Sequence, residues 1–308
     1  MNLDSRQCEA LLAVIDSGSF EQAAALLRLT SSAVSQRVRA LEIQLGSPLL
    51  VRSRPCRPTH AGQRLLQHLR RVQLLEQDLQ ADFSGEQAEL LSIAVAVNAD
   101  SLSSWLLPAV AEFLRSEQVL LDVSLDDQDH THALLEAGLA LGCVSTELHA
   151  MRGCSAEYLG IMRYRCVGSP AYRQQWFARG MQRAAAQKAP VVVFNRKDKL
   201  QAGYLKQHFG IVEHSYPCHY IPASDPFMHA IALGMGWGMV PELMLHRLPA
   251  HLPPGSLVDL APDRPMDSSL YWHSWKVQSP RLQKLSQTLI AAARTMLIQA
   301  DAATEEKT

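Results

Sequence analysis

Along residues 19–45, SFEQAAALLRLTSSAVSQRVRALEIQL, apolar positions recur at helical spacing on both sides of a short polar break. The pattern predicts two short amphipathic helices. Ser19 can cap the first, with Gln22 three residues on completing a capping box. Ala23, Ala24, Leu26 and Leu27 then give it a small-residue face that another helix can cross closely. Thr30 or Ser31 can cap the second helix, whose apolar positions are Ala33, Val34, Val38 and Leu41. That spacing leaves Ser31, Ser32, Ser35, Gln36, Arg37 and Arg39 facing outward. Residues 3–17 supply a third helix, with Gly18 placed to stop it, and residues 48–54 (PLLVRSR) lead into a short hairpin. A tight helix pair with a polar, basic second member is what a helix-turn-helix reader of the DNA major groove needs.

Beyond Thr59, which can cap the next helix, Leu65, Leu69, Val72, Leu75 and Leu79 recur every three or four residues. This is one apolar seam on a helix of roughly 24 residues, about 36 Å long. A small head cannot bury such a seam alone, which predicts a dimerising linker helix. A helix packed on its own chain is the alternative. After a linker at 85–89 the pattern alternates strand and helix. Strands are expected at 90–97, 120–125 and 139–144, with helices at 103–115 and 131–137. A second series follows: strands 164–168, 191–194 and 218–221, helices 171–178, 199–208 and 226–233, and an apolar run at 236–240. Residues 280–300 read as a closing amphipathic helix and 301–308 as a frayed end. Such alternation predicts two doubly wound α/β lobes with a ligand cleft between them. The organisation expected is a winged helix-turn-helix domain at 1–59, a linker helix at 60–84 and a two-lobed domain at 85–308. Lobe I takes 90–161 plus 266–300 and lobe II takes 162–265, with the chain crossing near 160–163 and returning near 260–270.

Charge sharpens the reading of the head. From Arg28 to Arg71 there are nine Arg, no Lys and one acid, Glu42, a formal +8 in a chain whose total is −1. Concentrated arginine suits a phosphate backbone, because each contact releases condensed counterions. The apolar fraction of 47% is enough for sizeable cores. The first residues carry no secretory signal pattern, and no apolar run approaches the about 20 residues that span a bilayer, so a cytoplasmic protein with no membrane partner is expected. The six cysteines form no CxxC pair and the twelve histidines no HExxH, so no metal site and no cofactor are expected. There is no GxSxG, GxGxxG or P-loop, and no catalytic residue is assigned.

The ordered runs A-A-x-x-L at 23–27, S-A-V-S-x-x-V-x-x-L-E-x-x-L-G-x-P-L at 32–49 and R-x-x-R-P-T-x-A-G at 54–62 resemble the LysR-type transcriptional regulators. The resemblance implies that Thr30, Ser31, Ser32, Ser35, Gln36 and Arg37, with Arg39 beside them, face bases or adjacent phosphates of double-stranded DNA. Arg52, Arg54 and Arg57 would form the wing against the backbone or minor groove. The family often has glutamine where this chain has Ser31. Glutamine can read adenine bidentately and serine cannot. For the second half the resemblance implies an effector domain built like a periplasmic binding protein.

Residues 98–103 (NADSLS) lie where the first strand of that domain ends and a helix begins. Free backbone N–H groups there, with the Ser101 or Ser103 hydroxyl, suit a carboxylate; plain N-capping is the alternative. Asp126, Asp127 and Asp129 gather acids at the same sheet edge, as an ammonium or guanidinium receptor or as a polar loop. Asp225 starts a helix in the second lobe and could close on the same cleft or merely cap; residues 195–198 (NRKD) add polar reach. A helix start opposite acids describes a site for a basic amino acid. Residues 49–59, 97–107 and 270–273 further resemble the lysine- and arginine-responsive (ArgP/LysG) subgroup. That implies Asn98, Asp100 and Ser101 as effector contacts, L-lysine or L-arginine as effector, and activation of a basic amino-acid exporter gene. It also implies a homodimer or homotetramer on a pseudo-palindromic operator, with RNA polymerase recruitment altered when the lobes close. Asp127 and Asp225 follow from charge alone, as partners for a side-chain ammonium. Two other readings remain: a redox sensor using two of Cys143, Cys154, Cys166 and Cys218, and an architectural DNA binder or replication inhibitor with no small-molecule effector.

Overall fold

The computed structural model describes residues 3–84, 90–126 and 131–299. The head is built on α1 (Ser5–Ser17), α2 (Phe20–Leu26) and α3 (Ser31–Leu45). Each begins on a side-chain cap that satisfies a free N–H: Asp4 accepts from Gln7 N, Ser19 Oγ from Gln22 N, and Thr30 Oγ1 from Ala33 N, all at 3.1 Å. Thr30 rather than Ser31 therefore starts α3. Leu11, Val14, Ala23, Val34, Val38 and Leu41 are fully or nearly fully buried and hold the three helices together. The Glu42 carboxylate accepts from Leu49 N at 2.8 Å and fixes where the chain leaves α3 for the wing. The wing pairs β1 (Leu50–Val51) with β2 (Arg57–Pro58), antiparallel. Gly62 is required where the following helix passes the wing, because a Cβ there would lie 2.0 Å from the Leu49 carbonyl oxygen.

That helix, α4 (His60–Ser84), belongs to both halves of the molecule. Leu66 and Leu69 are buried in the head core and Leu74 in the core of the body. Asp78 is buried and ion-paired to Arg281, whose backbone N–H also donates to it at 3.1 Å. Arg71 stacks over Trp275 with its guanidinium carbon 4.3 Å from the ring centroid. The expected seam is thus divided. Leu69 turns into the head and Leu65 and Val72 are half-buried, whereas Leu75, Leu79 and Phe83 are 39%, 58% and 84% exposed.

The body runs β3 (Leu91–Val97), α5 (Ala99–Ser101), one π-helical turn at Leu102–Leu106, α6 (Leu107–Ser116), β4 (Val119–Leu125), α7 (Thr131–Glu136), β5 (Gly142–Ser145) and β6 (Cys154–Gly168). It continues through α8 (Pro170–Trp176), α9 (Arg183–Ala186), β7 (Val191–Val193), α10 (Leu200–Phe209), β8 (Cys218–Tyr220) and α11 (Ser224–Ala232). The last elements are β9 (Gly238–Pro241), α12 (Glu242–Leu245), β10 (Val258–Asp259), β11 (Met266–Trp275) and α13 (Pro280–Met296). The sheet order is β10-β6-β11-β5-β3-β4, with β9 also on β6, while β7 and β8 form a separate parallel pair. Two lobes result, but their junction differs from the expectation. The crossings at 160–163 and 260–270 are not simple links between two separate sheets. The first lies inside β6, the second runs into β11, and the two strands pair antiparallel from Met266 opposite Tyr164 to Trp275 opposite Cys154. Gly160 makes this possible in mid-strand. Its φ is +137°, and a Cβ there would lie 2.7 Å from the Leu297 side chain. α13 returns to the first lobe, where Leu282, Leu285 and Leu289 are buried and Trp272 Nε1 donates to Ser286 Oγ at 3.0 Å. Among the described residues no helix is long and apolar enough to cross a membrane.

Because Asp78 and Arg281 form a largely buried pair, removing the acid strands a guanidinium in the body. Asp78→Ala should cost about 3 kcal/mol. Urea unfolding followed by tryptophan fluorescence reads this directly, since Trp105, Trp176, Trp237, Trp272 and Trp275 all lie in the body. An unchanged midpoint would mean that α4 is not anchored there.

Candidate functional site

On the head, α3 exposes Ser32, Gln36 and Arg39 to solvent and Ser35 and Arg37 partly. Thr30 is exposed, with its hydroxyl oxygen committed to the cap. Ser31 departs from the expectation: its hydroxyl oxygen is buried with no partner, and the cap is its neighbour Thr30. In the wing Arg52, Arg54 and Arg57 are exposed. Arg52 stacks over Phe20 at 5.6 Å and lies 3.7 Å from the Glu42 carboxylate. Among the described residues Arg37, Arg39, Arg54 and Arg57 have no ion-pair partner. A face of uncompensated arginines beside a polar helix can engage a polyanion while side chains on that helix reach its edges.

In the body a cleft of about 690 Å³ opens between the ends of β3 and β4 on one side and the turn after β7 with α11 on the other. Asn98 and Asp100 line it, as the sequence suggests. Asn98 is 4% exposed, sits at the N-cap of α5 without making a side-chain cap, and its Oδ1 is buried without a partner. Asp100 accepts from the Tyr164 hydroxyl at 2.9 Å, which ties the helix start to β6. Gln201, 1% exposed, lies on the far wall with its carbonyl oxygen Oε1 buried and unpartnered. At the mouth Asp126, the residue after β4, takes the Lys197 ammonium at 2.8 Å, and this bond bridges the two lobes. Ser103 Oγ and Ser224 Oγ, 3.1 Å apart, bridge them again.

The other expected residues fall elsewhere. Ser101 is fully buried behind the cleft surface, with no partner for its hydroxyl. Asp225 is exposed and opens on an adjoining hollow of about 780 Å³ with Arg247 and His251, not on the cleft of Asn98 and Asp100. The first turn of α11 aims Ser224 inward and the next residue out. Asp127 lies outside the described residues. Tyr164, Gln201 and the opposition of Asp126 to Lys197 are additions that single positions do not announce. The aromatic in a half-apolar strand was the available sign for Tyr164.

The cysteines behave as structural thiols. Burial pushes the Cys154 thiol up to about 11 and holds those of Cys143 and Cys166 further above the ordinary range. Burial also raises Cys218. An activated redox thiol requires the opposite shift. Among the described residues no group of three His, Cys, Asp or Glu could hold a metal ion.

Comparison with known proteins places both halves. The family described as "Bacterial regulatory helix-turn-helix protein, lysR family" matches residues 5–63, and "LysR substrate binding domain" matches residues 84–294. The chain belongs to the LysR family. It is a DNA-binding transcriptional regulator and not an enzyme, with a helix-turn-helix head and a two-lobed effector-binding domain. Among LysR-family relatives, the HTH-type transcriptional regulator ArgP of Photobacterium profundum is 40% identical over 298 residues, covering 96% of this chain and 99% of that protein. The crystal structure of ArgP from Mycobacterium tuberculosis superposes with a TM-score of 0.83 at 40% identity, covering 97% of this chain and 100% of that one. Full-length LysG from Corynebacterium glutamicum with bound effector Arg gives 0.74 at 34% identity over 96% and 100%.

The thiols give a direct test of the redox reading. With Ellman's reagent at pH 8 the half-exposed Cys56 and Cys218 should react first, and buried Cys143, Cys154 and Cys166 only on unfolding. At that pH a thiol with a pKa of about 11 is thiolate in roughly one molecule per thousand. Fast labelling of any of those three in the folded chain would reinstate a redox role.

Proposed function

We propose that this regulator senses L-lysine or L-arginine in the interlobe cleft and activates a basic amino-acid exporter gene. One observation carries the reading. Asp126 at the cleft mouth already holds a primary ammonium, that of Lys197, at 2.8 Å. Within the cleft, Asn98 with its unpartnered oxygen and Asp100 border the N–H groups that open the helix of residues 99–116. A ligand with an α-amino acid head and a cationic tail matches both ends. Asn98, Asp100 and the helix start take the head, with Ser101 supporting them from behind, and Asp126 takes the tail, with Asp127 next to it in sequence. Asp225, on the adjoining hollow, is not included. ArgP as the name of full-length relatives and LysG with arginine bound support this choice of effector.

On the DNA side, Ser32, Ser35, Gln36, Arg37 and Arg39 enter the major groove. Arg52, Arg54 and Arg57 grip the backbone or minor groove. The exposed Leu75, Leu79 and Phe83 of α4 pair two copies, so that a homodimer or homotetramer spans a pseudo-palindromic operator. Lobe closure reaches the DNA through α4, which Asp78–Arg281 and Arg71–Trp275 fasten to the first lobe. The altered spacing of the heads changes the bend of the operator and the recruitment of RNA polymerase.

Calorimetry on the full-length chain should show saturable binding of L-lysine or L-arginine, weakened at least tenfold by Asp100→Asn and by Asp126→Asn. No heat with either amino acid would overturn the effector assignment. Operator affinity should fall steeply with salt, and Arg54→Ala and Arg57→Ala should each reduce the log–log salt slope by about one. Unchanged slopes would remove the wing arginines from the interface.

A further inference from the structure

We propose that Lys197 is a built-in occupant of the effector's ammonium site, a latch that a cationic ligand must displace. The proposal rests on the effector reading above and adds how that site is controlled.

The turn that carries Lys197 is fixed by its own hydrogen bonds. Asn195 Oδ1 accepts from Lys197 N at 2.7 Å and from Asp198 N at 3.1 Å. The Asp198 carboxylate accepts from Leu200 N at 2.9 Å and from Phe194 N at 3.3 Å. With the backbone held, the Lys197 side chain is directed across the cleft to an acid 71 residues earlier in the chain. Its neighbours do otherwise. Arg196 stacks over Tyr220 at 4.6 Å, and Lys199 holds Glu213 at 2.5 Å, both within the second lobe. Of these three cations, Lys197 is the one that reaches the first lobe. The Ser103–Ser224 hydrogen bond spans the same gap, so Lys197–Asp126 is one of several contacts that join the lobes.

Strength and chemistry both suit a displaceable group. The Lys197 and Asp126 side chains are 54% and 24% exposed, which places the pair in the solvent-screened class that releases easily. A lysine ligand offers Asp126 the same ammonium that Lys197 does. The exchange leaves the carboxylate neutralised throughout, whereas a neutral amino acid offers nothing to replace the latch. The latch therefore biases the cleft toward cationic side chains, and it lowers apparent affinity by the fraction of molecules in which it is closed.

The experiment compares full-length wild type, Lys197→Met and Lys199→Met, the last making the same loss of charge two residues away. Calorimetry with L-lysine and L-arginine should give about two- to fivefold tighter binding for Lys197→Met, the range expected of a partly exposed ion pair, and wild-type affinity for Lys199→Met. Hydrogen–deuterium exchange without ligand should be faster around residues 195–199 and 224–227 in Lys197→Met alone. Binding by Lys197→Met no tighter than wild type, or an equal gain in Lys199→Met, would overturn the latch. If wild type binds neither amino acid the effector reading fails, and the exchange measurement then decides the latch by itself: faster exchange supports it and unchanged exchange overturns it.

Discussion

The cleft exists because two long strands, β6 and β11, stay paired while the lobes on either side of them differ. Ten consecutive residues of β11 face β6, so the lobes cannot slide past one another and are left mainly with bending about this ribbon. The pair is fastened at its second-lobe end by Arg163 and Asp267, which make two hydrogen bonds at 2.8 and 2.7 Å. At the other end it rests on Trp272, buried beneath α13. Between them sit Gly160 and the register irregularity at Leu270/Tyr271. Bulged, glycine-containing positions bend more readily than a regular ladder. Tyr164 belongs to the same strand and holds Asp100, so bending of the ribbon acts directly on the start of the helix that faces the ligand space.

The first lobe is also the lobe to which α4 is attached. A buried ion pair adds little net stability over a well-packed apolar pair, since desolvating two charges offsets most of their attraction. What Asp78 and Arg281 contribute is angular definition. A carboxylate that accepts both a guanidinium and a backbone N–H from the start of α13 permits one rotation of α4 about its axis, where a leucine contact would tolerate several. The cation–π contact of Arg71 with Trp275 adds a second fixed point two turns earlier. Motion in the body thus reaches the head as a change in helix direction.

The head was legible in the sequence because its determinants are local. Caps lie three residues from the N–H groups they satisfy, and arginine density needs no fold to be counted. The lobes were legible as elements for the same reason. Their junction was not. Residues 154–163 and 266–275 mix Ser, Asp and Glu with aromatics, with some polar positions exposed and others, His273 and Ser274, buried, in a sheet whose partner strand is about a hundred residues away. A pattern with weak alternation reads as loop until that partner is known. The seam of α4 failed differently: one helix serves two cores and one open face, and a single periodicity cannot separate three surfaces. Asp225 shows the limit for site residues. Position at a helix start is visible in sequence, but whether the side chain turns toward one hollow or the next depends on a rotation of about 100° per residue.

Electrostatics explains why the acids around the cleft do not repel the fold apart, and also why they are not equivalent. Asp267 is held by Arg163, which is adjacent to it in the sheet. Asp100 is held by Tyr164, 1% exposed and locked by packing. Asp198 spends both oxygens on backbone N–H groups of its own turn. For Asp100 and Asp198 the compensating partner named is a buried or part-buried structural group, so a ligand that displaced it would leave that group unsatisfied at a cost of about 1–3 kcal/mol. Asp126 is compensated by a flexible, half-exposed side chain from the opposite lobe, which regains full hydration when released. Exchange of partners is therefore less costly at Asp126 than at Asp100 or Asp198. Exchange there also acts on the lobes, because the partner released comes from the opposite lobe.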